Sequence, residues 1–306
     1  MSALFSPYSL RGARLRNRIV VSPMSQYRAR DGYANDWHLV HLGRFAIGGA
    51  GLVFAEATAV ERRGRRTHGD LGLWEDGQIE PLARVAAFLK AEGAVPGVQL
   101  GHAGRKASER RPWHGESPVT EEDVAARGEA PWPTVGPSPL PFADAWPAPA
   151  EMTEAEIEAT VAAFAAAARR AVEAGFEAIE VYAAHGFLLH QFYSPIANRR
   201  TDRWGGSLEN RCRAPVAVAR AMRAAMPDAV PLIFRLSATD WMEGGWTGDD
   251  TVALAKRLKA EGVDMIDCST GGVGGTGGRE RPALMPLAEN FQTPFAAEVR
   301  RKADIP

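Results

Sequence analysis

Residues 172–183 read VEAGFEAIEVYA, a helix end that meets Gly175 and passes at once into an apolar strand. Glycine suits the left-handed position just past a helix and lets the chain turn back within about two residues. The same unit recurs as AIGGAGLVFAEA (46–57), KAEGAVPGVQLG (90–101) and KAEGVDMIDCS (259–269). Its strands are apolar on both faces, as in a parallel sheet covered by helices. Two further strands fit as IVVSPM (19–24) and LIFRLSATD (232–240). Between them, residues 154–174, 207–226 and 249–261 carry a helical period. The first of these opens on Thr153 with Glu156 three residues on, a capping box. Strand–helix alternation with no break in composition predicts one α/β domain, a TIM-type β/α barrel with about six βα units. A doubly wound sheet is the competitor, but no G-x-G-x-x-G follows the first strand.

Bulk properties narrow the function. The chain has 306 residues, 45% of them hydrophobic, enough for a sizeable core. A formal net charge of -1 gives no reason to expect nucleic acid or an anionic membrane as partner. No apolar run approaches the roughly 18 residues of a membrane span, and the N-terminus lacks the apolar core of a signal peptide. Cys212 and Cys268 make no disulfide framework, and no metal-ligand spacing occurs. These features predict a soluble cytoplasmic protein, one domain over residues 1–306.

Two stretches depart from the repeat. Residues 1–18 precede the first strand and are expected to form a hairpin around Arg11-Gly12 that closes the barrel floor. Residues 108–150 form a long, proline-rich excursion with three tryptophans after the third strand. A loop of that length is either a functional lid or a tolerated surface insertion.

Chemistry collects at strand ends. The strand beginning at Ala178 turns polar and aromatic at Tyr182, His185 and Phe187, and barrels keep their reactive groups at the C-terminal ends of strands. RTDRWGGSLENR (200–211) follows, too polar and glycine-rich for core. SPMSQY (22–27) ends the first strand, EATAV (56–60) the second, GVQLGHAGRK (97–106) the third, and Arg235 lies in the fifth, where a cation is costly to bury unpaired.

Residues 178–211 closely resemble the corresponding segment of the old yellow enzyme family, the FMN-dependent NADPH dehydrogenases and ene-reductases, in their short bacterial, thermophilic-like branch. The resemblance covers essentially the whole chain. It implies FMN and NADPH as cofactors and a small electrophilic alkene as substrate: an α,β-unsaturated carbonyl or nitro compound. Ser22, Pro23, Met24, Ser25, Ala57, Gln99, His185 and Arg235 are then expected to hold the flavin. Gln99 would pair with the ring edge, and Arg235 would stabilise negative charge on the reduced ring. Tyr182, His185 and Tyr27 are expected to hold the oxidant. Lys106 is a weaker candidate.

Three positions depart from the family pattern. Ser25 replaces a common cysteine, Tyr182 and His185 stand for a His-x-x-His or His-x-x-Asn pair, and Phe187 stands where a tyrosine delivers a proton. A phenylalanine carries no transferable proton. A flavin-binding but catalytically impaired homologue is the alternative that these changes motivate. The family's last two βα units, with their phosphate-binding loops, are not in this sequence, so a fragment of a longer protein is expected. The glycine-rich stretch 268–278 would border the flavin's ribityl chain, bind phosphate or simply be mobile. A homo-oligomer is compatible with all of this.

Overall fold

A computed structural model describes residues 2–144, 146–274, 285–286 and 288–306. Six parallel strands run in chain order: β1 (Val20–Val21), β2 (Leu52–Ala59), β3 (Val95–Gly101), β4 (Ala178–Ala183), β5 (Leu232–Ser237) and β6 (Met265–Ser269). Each pairs with its sequence neighbour, and the short segment Leu71–Gly72 pairs with the end of β2. Strand order never reverses, which removes the doubly wound alternative. The sheet curls as a half-barrel. Helices α1 (Asp36–Ile47), α2 (Ile79–Ala91), α3 (Glu154–Glu173), α4 (Arg213–Ala225), α5 (Gly248–Ala260) and α6 (Thr293–Ala303) alternate with the strands.

Side-chain alternation sorts the strands into two faces. Val53, Val98, Ile179, Val181, Phe234 and Leu236 face outward into the main core. Leu52, Phe54, Val95, Ala178 and Ile233 face inward and pack with Ala13 and Leu15 of a hairpin, Tyr8–Leu10 paired with Ala13–Leu15. That hairpin turns at Arg11, whose φ is 47°, and Gly12, and it plugs the N-terminal end of the strands.

Three element boundaries fall short of the sequence reading. The first strand covers Val20–Val21 rather than 19–24. Pro23 has no N–H to give a ladder, and the next anchor is a side chain, with Gln26 N–H donating to Glu56 at 2.6 Å. The fifth strand ends at Ser237, whose N–H goes to the Tyr193 hydroxyl at 3.0 Å. Helix 207–226 breaks at Cys212 into Leu208–Arg211 and α4. Pro215 cannot donate backward, and its ring would crowd the Arg211 carbonyl.

Residues 108–150 are built rather than loose. They contain a capped helix, Glu121–Arg127, and a parallel pair, Val135–Gly136 with Ala150–Glu151. Of the glycine-rich stretch, residues 275–278 lie outside the described residues. RTDRWGGSLENR is a bracing loop: Arg200 forks onto Asp202 and donates to the carbonyls of Pro137 and Met152 at 3.1 and 2.7 Å.

Candidate active site

Above the apolar floor the inner face turns polar. Gln99, Glu180, Arg235 and Asp267 form the next layer, followed at the rim by Tyr182, Ser237 and Ser269. Register sets Gln99 beside Glu180, and Arg235 between Tyr182 and Asp267. Gln99 Nε2 donates to Glu180 Oε1 at 2.7 Å. Arg235 Nε lies 3.1 Å from Asp267 Oδ2, but its N–H is not aimed there, so the contact is ionic without a hydrogen bond. Among the described residues no acceptor takes a hydrogen bond from this guanidinium.

Burial pushes the Glu180 carboxyl up to about 8, reinforced by the Asp267 charge and opposed by Arg235 and the Gln99 amide. Asp267 is raised too, by burial, against the pull of Arg235. Glu180 therefore keeps its proton in the folded chain at pH values where the unfolded chain, near 4.5, has released it. This contribution to stability is complete below about 4.5 and is lost as pH rises through about 8, by at most about 1.4 kcal/mol per pH unit. Glu180→Gln, which keeps the shape and removes the proton, is expected to flatten that decline. Urea midpoints at pH 5 and pH 8 measure it, and an equally steep fall in the variant would contradict the assignment.

At the rim, Tyr182 Oη and His185 Nδ1 are 2.9 Å apart, and His185 Nε2 is 2.6 Å from Ser269 Oγ. Gln292 Nε2 donates to Ser269 Oγ at 3.2 Å and Thr270 Oγ1 at 3.1 Å, which uses one of the two lone pairs of the Ser269 hydroxyl. The neutral imidazole has two arrangements in this row. With its proton on Nδ1 it donates to Tyr182 Oη and accepts from Ser269, and with its proton on Nε2 it donates to Ser269 and accepts from the phenol.

Burial, assisted by Arg235 and Lys106, holds the His185 imidazole well below its usual pKa, so it is neutral. Burial likewise pushes the Tyr182 phenol up to about 12. His185 sits in a left-handed backbone conformation, φ 53°, held by three bonds. Its N–H donates to Ser237 Oγ at 2.9 Å, its carbonyl accepts from Lys106 Nζ at 2.9 Å, and Gly186 N–H donates to His190 Nδ1 at 2.8 Å. His190 is in turn fixed by Asp240 at 2.8 Å.

Phe187 is 7% exposed and packs with Ala57, Ala103 and Ala107, its ring 4.1 Å from that of Tyr182. Ala57 lies opposite Gln99 across the β2–β3 ladder. After β1, Ser22, Met24 and Ser25 are exposed and Pro23 half-buried, the Met24 side chain at 42%. Tyr27 has a φ of 56°, and its hydroxyl accepts from Arg66 Nη1 at 3.0 Å, while Arg66 is gripped by Glu109. Burial raises the Tyr27 phenol although Arg66 pulls it down.

Ala57, Gln99, Tyr182 and Arg235 thus lie on four neighbouring strands, with Tyr182 and His185 in direct contact. Glu180, Asp267, Ser237, Ser269, Arg66 and Gln292 were not singled out from the sequence. The signal for two of them was period two: Glu180 stands two residues before Tyr182, and Asp267 two before Ser269, in strands otherwise apolar. Among the described residues no His, Cys, Asp or Glu group is arranged to hold a metal, and no helix is long and apolar enough to cross a membrane.

Residues 3–281 match the family model of the NADH:flavin oxidoreductase / NADH oxidase family. The chain is 45% identical over 283 residues to an NADH:flavin oxidoreductase of Gibberella zeae, covering 88% of this chain and 67% of that one. It is 42% identical over 307 aligned residues to an NADPH dehydrogenase of Geobacillus thermodenitrificans, covering 100% and 82%. Morphinone reductase superimposes with a TM-score of 0.79 at 25% identity, over 99% of this chain and 78% of its own.

Proposed function

Since this chain belongs to the NADH:flavin oxidoreductase / NADH oxidase family, the old yellow enzymes, and is an FMN-dependent NADPH oxidoreductase, we propose that its oxidant is an electrophilic alkene, an α,β-unsaturated carbonyl or nitro compound. The observation carrying this reading is the hydrogen-bonded row Gln292–Ser269–His185–Tyr182, which ends on a phenol at the rim; with the imidazole proton on Nδ1, the phenol proton is free for a substrate oxygen. A donor of that kind suits an oxygen on which negative charge develops.

The inner face fits FMN. Arg235 is 20% exposed, with donors that no described residue accepts, so an electron-rich ring edge would complete it. Gln99 and Ala57, side by side on neighbouring strands, would line the same edge, and Ser22–Ser25 would supply an exposed strip against a flat ring. Bound FMN would supply the two-electron redox chemistry at this face.

The chain's own residues do the rest. Tyr182 donates to the substrate oxygen, and neutral His185 backs it by donating to Tyr182 Oη. Tyr27, held by Arg66, flanks the mouth. Phe187 offers no proton, so the proton for the α-carbon comes from water. Trp132, packed against the cluster of Ala57, Ala103, Ala107 and Phe187, makes the 108–150 segment a wall of that mouth.

Anaerobic titration of the FMN-loaded protein tests the reading. NADPH is expected to bleach the flavin absorbance, and 2-cyclohexenone to restore it within seconds. A flavoprotein that NADPH never bleaches sinks the proposal, and one reoxidised by dioxygen but by no activated alkene sinks the substrate class.

A further inference from the structure

A cleft of about 610 Å³ opens beside Tyr27, between the segment that follows β1 and the start of the 108–150 excursion. Arg28, Arg30, Trp37, Arg111 and Trp113 line it with Tyr27. Its size lies in the range of sites for nucleotide-sized ligands. Apart from Tyr27, none of these residues has a part in holding the flavin or the alkene described above.

The cleft carries uncommitted positive charge. Arg28 lies over the rings of Trp37 and Trp113, at 4.6 and 5.5 Å from their centroids. Stacking fixes the plane of the guanidinium but uses none of its N–H donors, which remain for a bidentate acceptor. Among the described residues neither Arg28 nor Arg30 has a carboxylate at ion-pair distance. The acid on the wall, Asp36, is held by Arg84 at 2.6 Å, and Arg111 is paired with Glu129.

The aromatic surface keeps open area although Arg28 lies over both indoles and Trp37 Nε1 donates to Gln26 Oε1 at 3.3 Å. Trp37 is 46% exposed and Trp113 54%, a large apolar area to leave in water beside two open cations. Trp113 also makes an edge contact with Tyr27, ring centroids 6.0 Å apart, so Tyr27 stands between the cleft and the proposed mouth of the half-barrel. Two free guanidinium groups ask for phosphate, and two exposed indoles ask for a flat heterocycle.

We propose that this cleft binds the phosphate-bearing adenosine half of NADPH, with Arg28 and Arg30 as phosphate ligands and Trp113 and Trp37 as the stacking surface for the base. The inference rests on the reading that NADPH reduces bound FMN at the mouth that Tyr27 flanks. It adds the residues by which the chain distinguishes a nucleotide carrying a 2′-phosphate from one without it.

The probe is 2′,5′-ADP, which has the adenosine and 2′-phosphate but no nicotinamide. It is expected to quench tryptophan emission of the FMN-loaded protein and to inhibit competitively against NADPH, not against the alkene. 5′-AMP should bind at least about tenfold more weakly, since a charge-assisted contact is lost. Arg28→Ala and Arg30→Ala, both surface changes, should each weaken 2′,5′-ADP binding and raise KM for NADPH about tenfold, with thermal midpoints within a degree or two of the parent. Quenching that is absent, equal affinity for the two nucleotides, or wild-type affinity in both variants would overturn the assignment. The outcomes separate cleanly: a flavin that NADPH does not bleach defeats the enzyme reading, whereas bleaching indifferent to 2′,5′-ADP and to both arginines defeats only the cleft.

Discussion

Tyr182→Phe is expected to slow reoxidation of the reduced flavoprotein by 2-cyclohexenone about 10²–10³-fold, the usual effect of deleting one oxyanion donor. The change removes a single oxygen from the terminus of the Ser269–His185–Tyr182 row. It leaves the ring in its contact with Phe187 at 4.1 Å, so the fold has no cavity to absorb. It also removes the Tyr182 Oη partner of His185 Nδ1, and a buried polar group left unpaired costs about 1–3 kcal/mol. Reduction of the flavin by NADPH does not place charge on a substrate oxygen, so that half-reaction should fall far less. Stopped-flow absorbance resolves the two. Equal slowing of both halves would mean that Tyr182 shapes the pocket rather than meeting the oxidant.

The second large effect concerns Arg235→Met. Asp267 is then left in the inner layer without its cation, and breaking a buried pair from one side typically costs about 3–5 kcal/mol. Arg235 is partly open to the mouth, so the lower end of that range is expected. The same change removes the cationic donor facing the proposed flavin edge, and FMN affinity should fall by at least about tenfold. Adding Asp267→Asn relieves the stranded carboxylate and should restore most of the urea midpoint, but none of the flavin affinity. Unfolding curves of the apoprotein together with FMN titrations give both numbers. A double variant that recovers FMN binding would move the flavin contact away from Arg235.

The architecture was legible because the chain punctuates itself. Gly93, Gly175 and Gly262 have φ values of 77°, 89° and 86°, the left-handed positions inferred from the helix–glycine–strand unit. Boundaries were less legible where a side chain, not a ladder bond, captures the backbone, as Glu56 does for Gln26 and Tyr193 for Ser237. Tyr182 and His185 stood out because their types and spacing announce hydrogen-bond chemistry within a single segment. Ser269 and Gln292 did not, since a serine in a strand end and a glutamine before a helix look ordinary. Their meaning appears only when β6 lies beside β5 and folds them over the imidazole. Glu180 and Asp267 were visible as charges in apolar strands. Which face they occupied was fixed by register with Gln99 and Arg235 on other strands, information that no local window holds.

His185 Nε2 meets Ser269 across a gap of 84 residues, and Gly186 and Gly272 approach so closely that a Cβ on the first would lie 2.1 Å from the carbonyl oxygen of the second. During synthesis, therefore, a ribosome that has extruded β4 and β5 has given the imidazole its Tyr182 partner but not Ser269. Only when the sixth strand emerges can both ring nitrogens be paired, long after the ring's own loop has been made. The order of translation makes this corner of the proposed site one of the last parts of the described chain to mature.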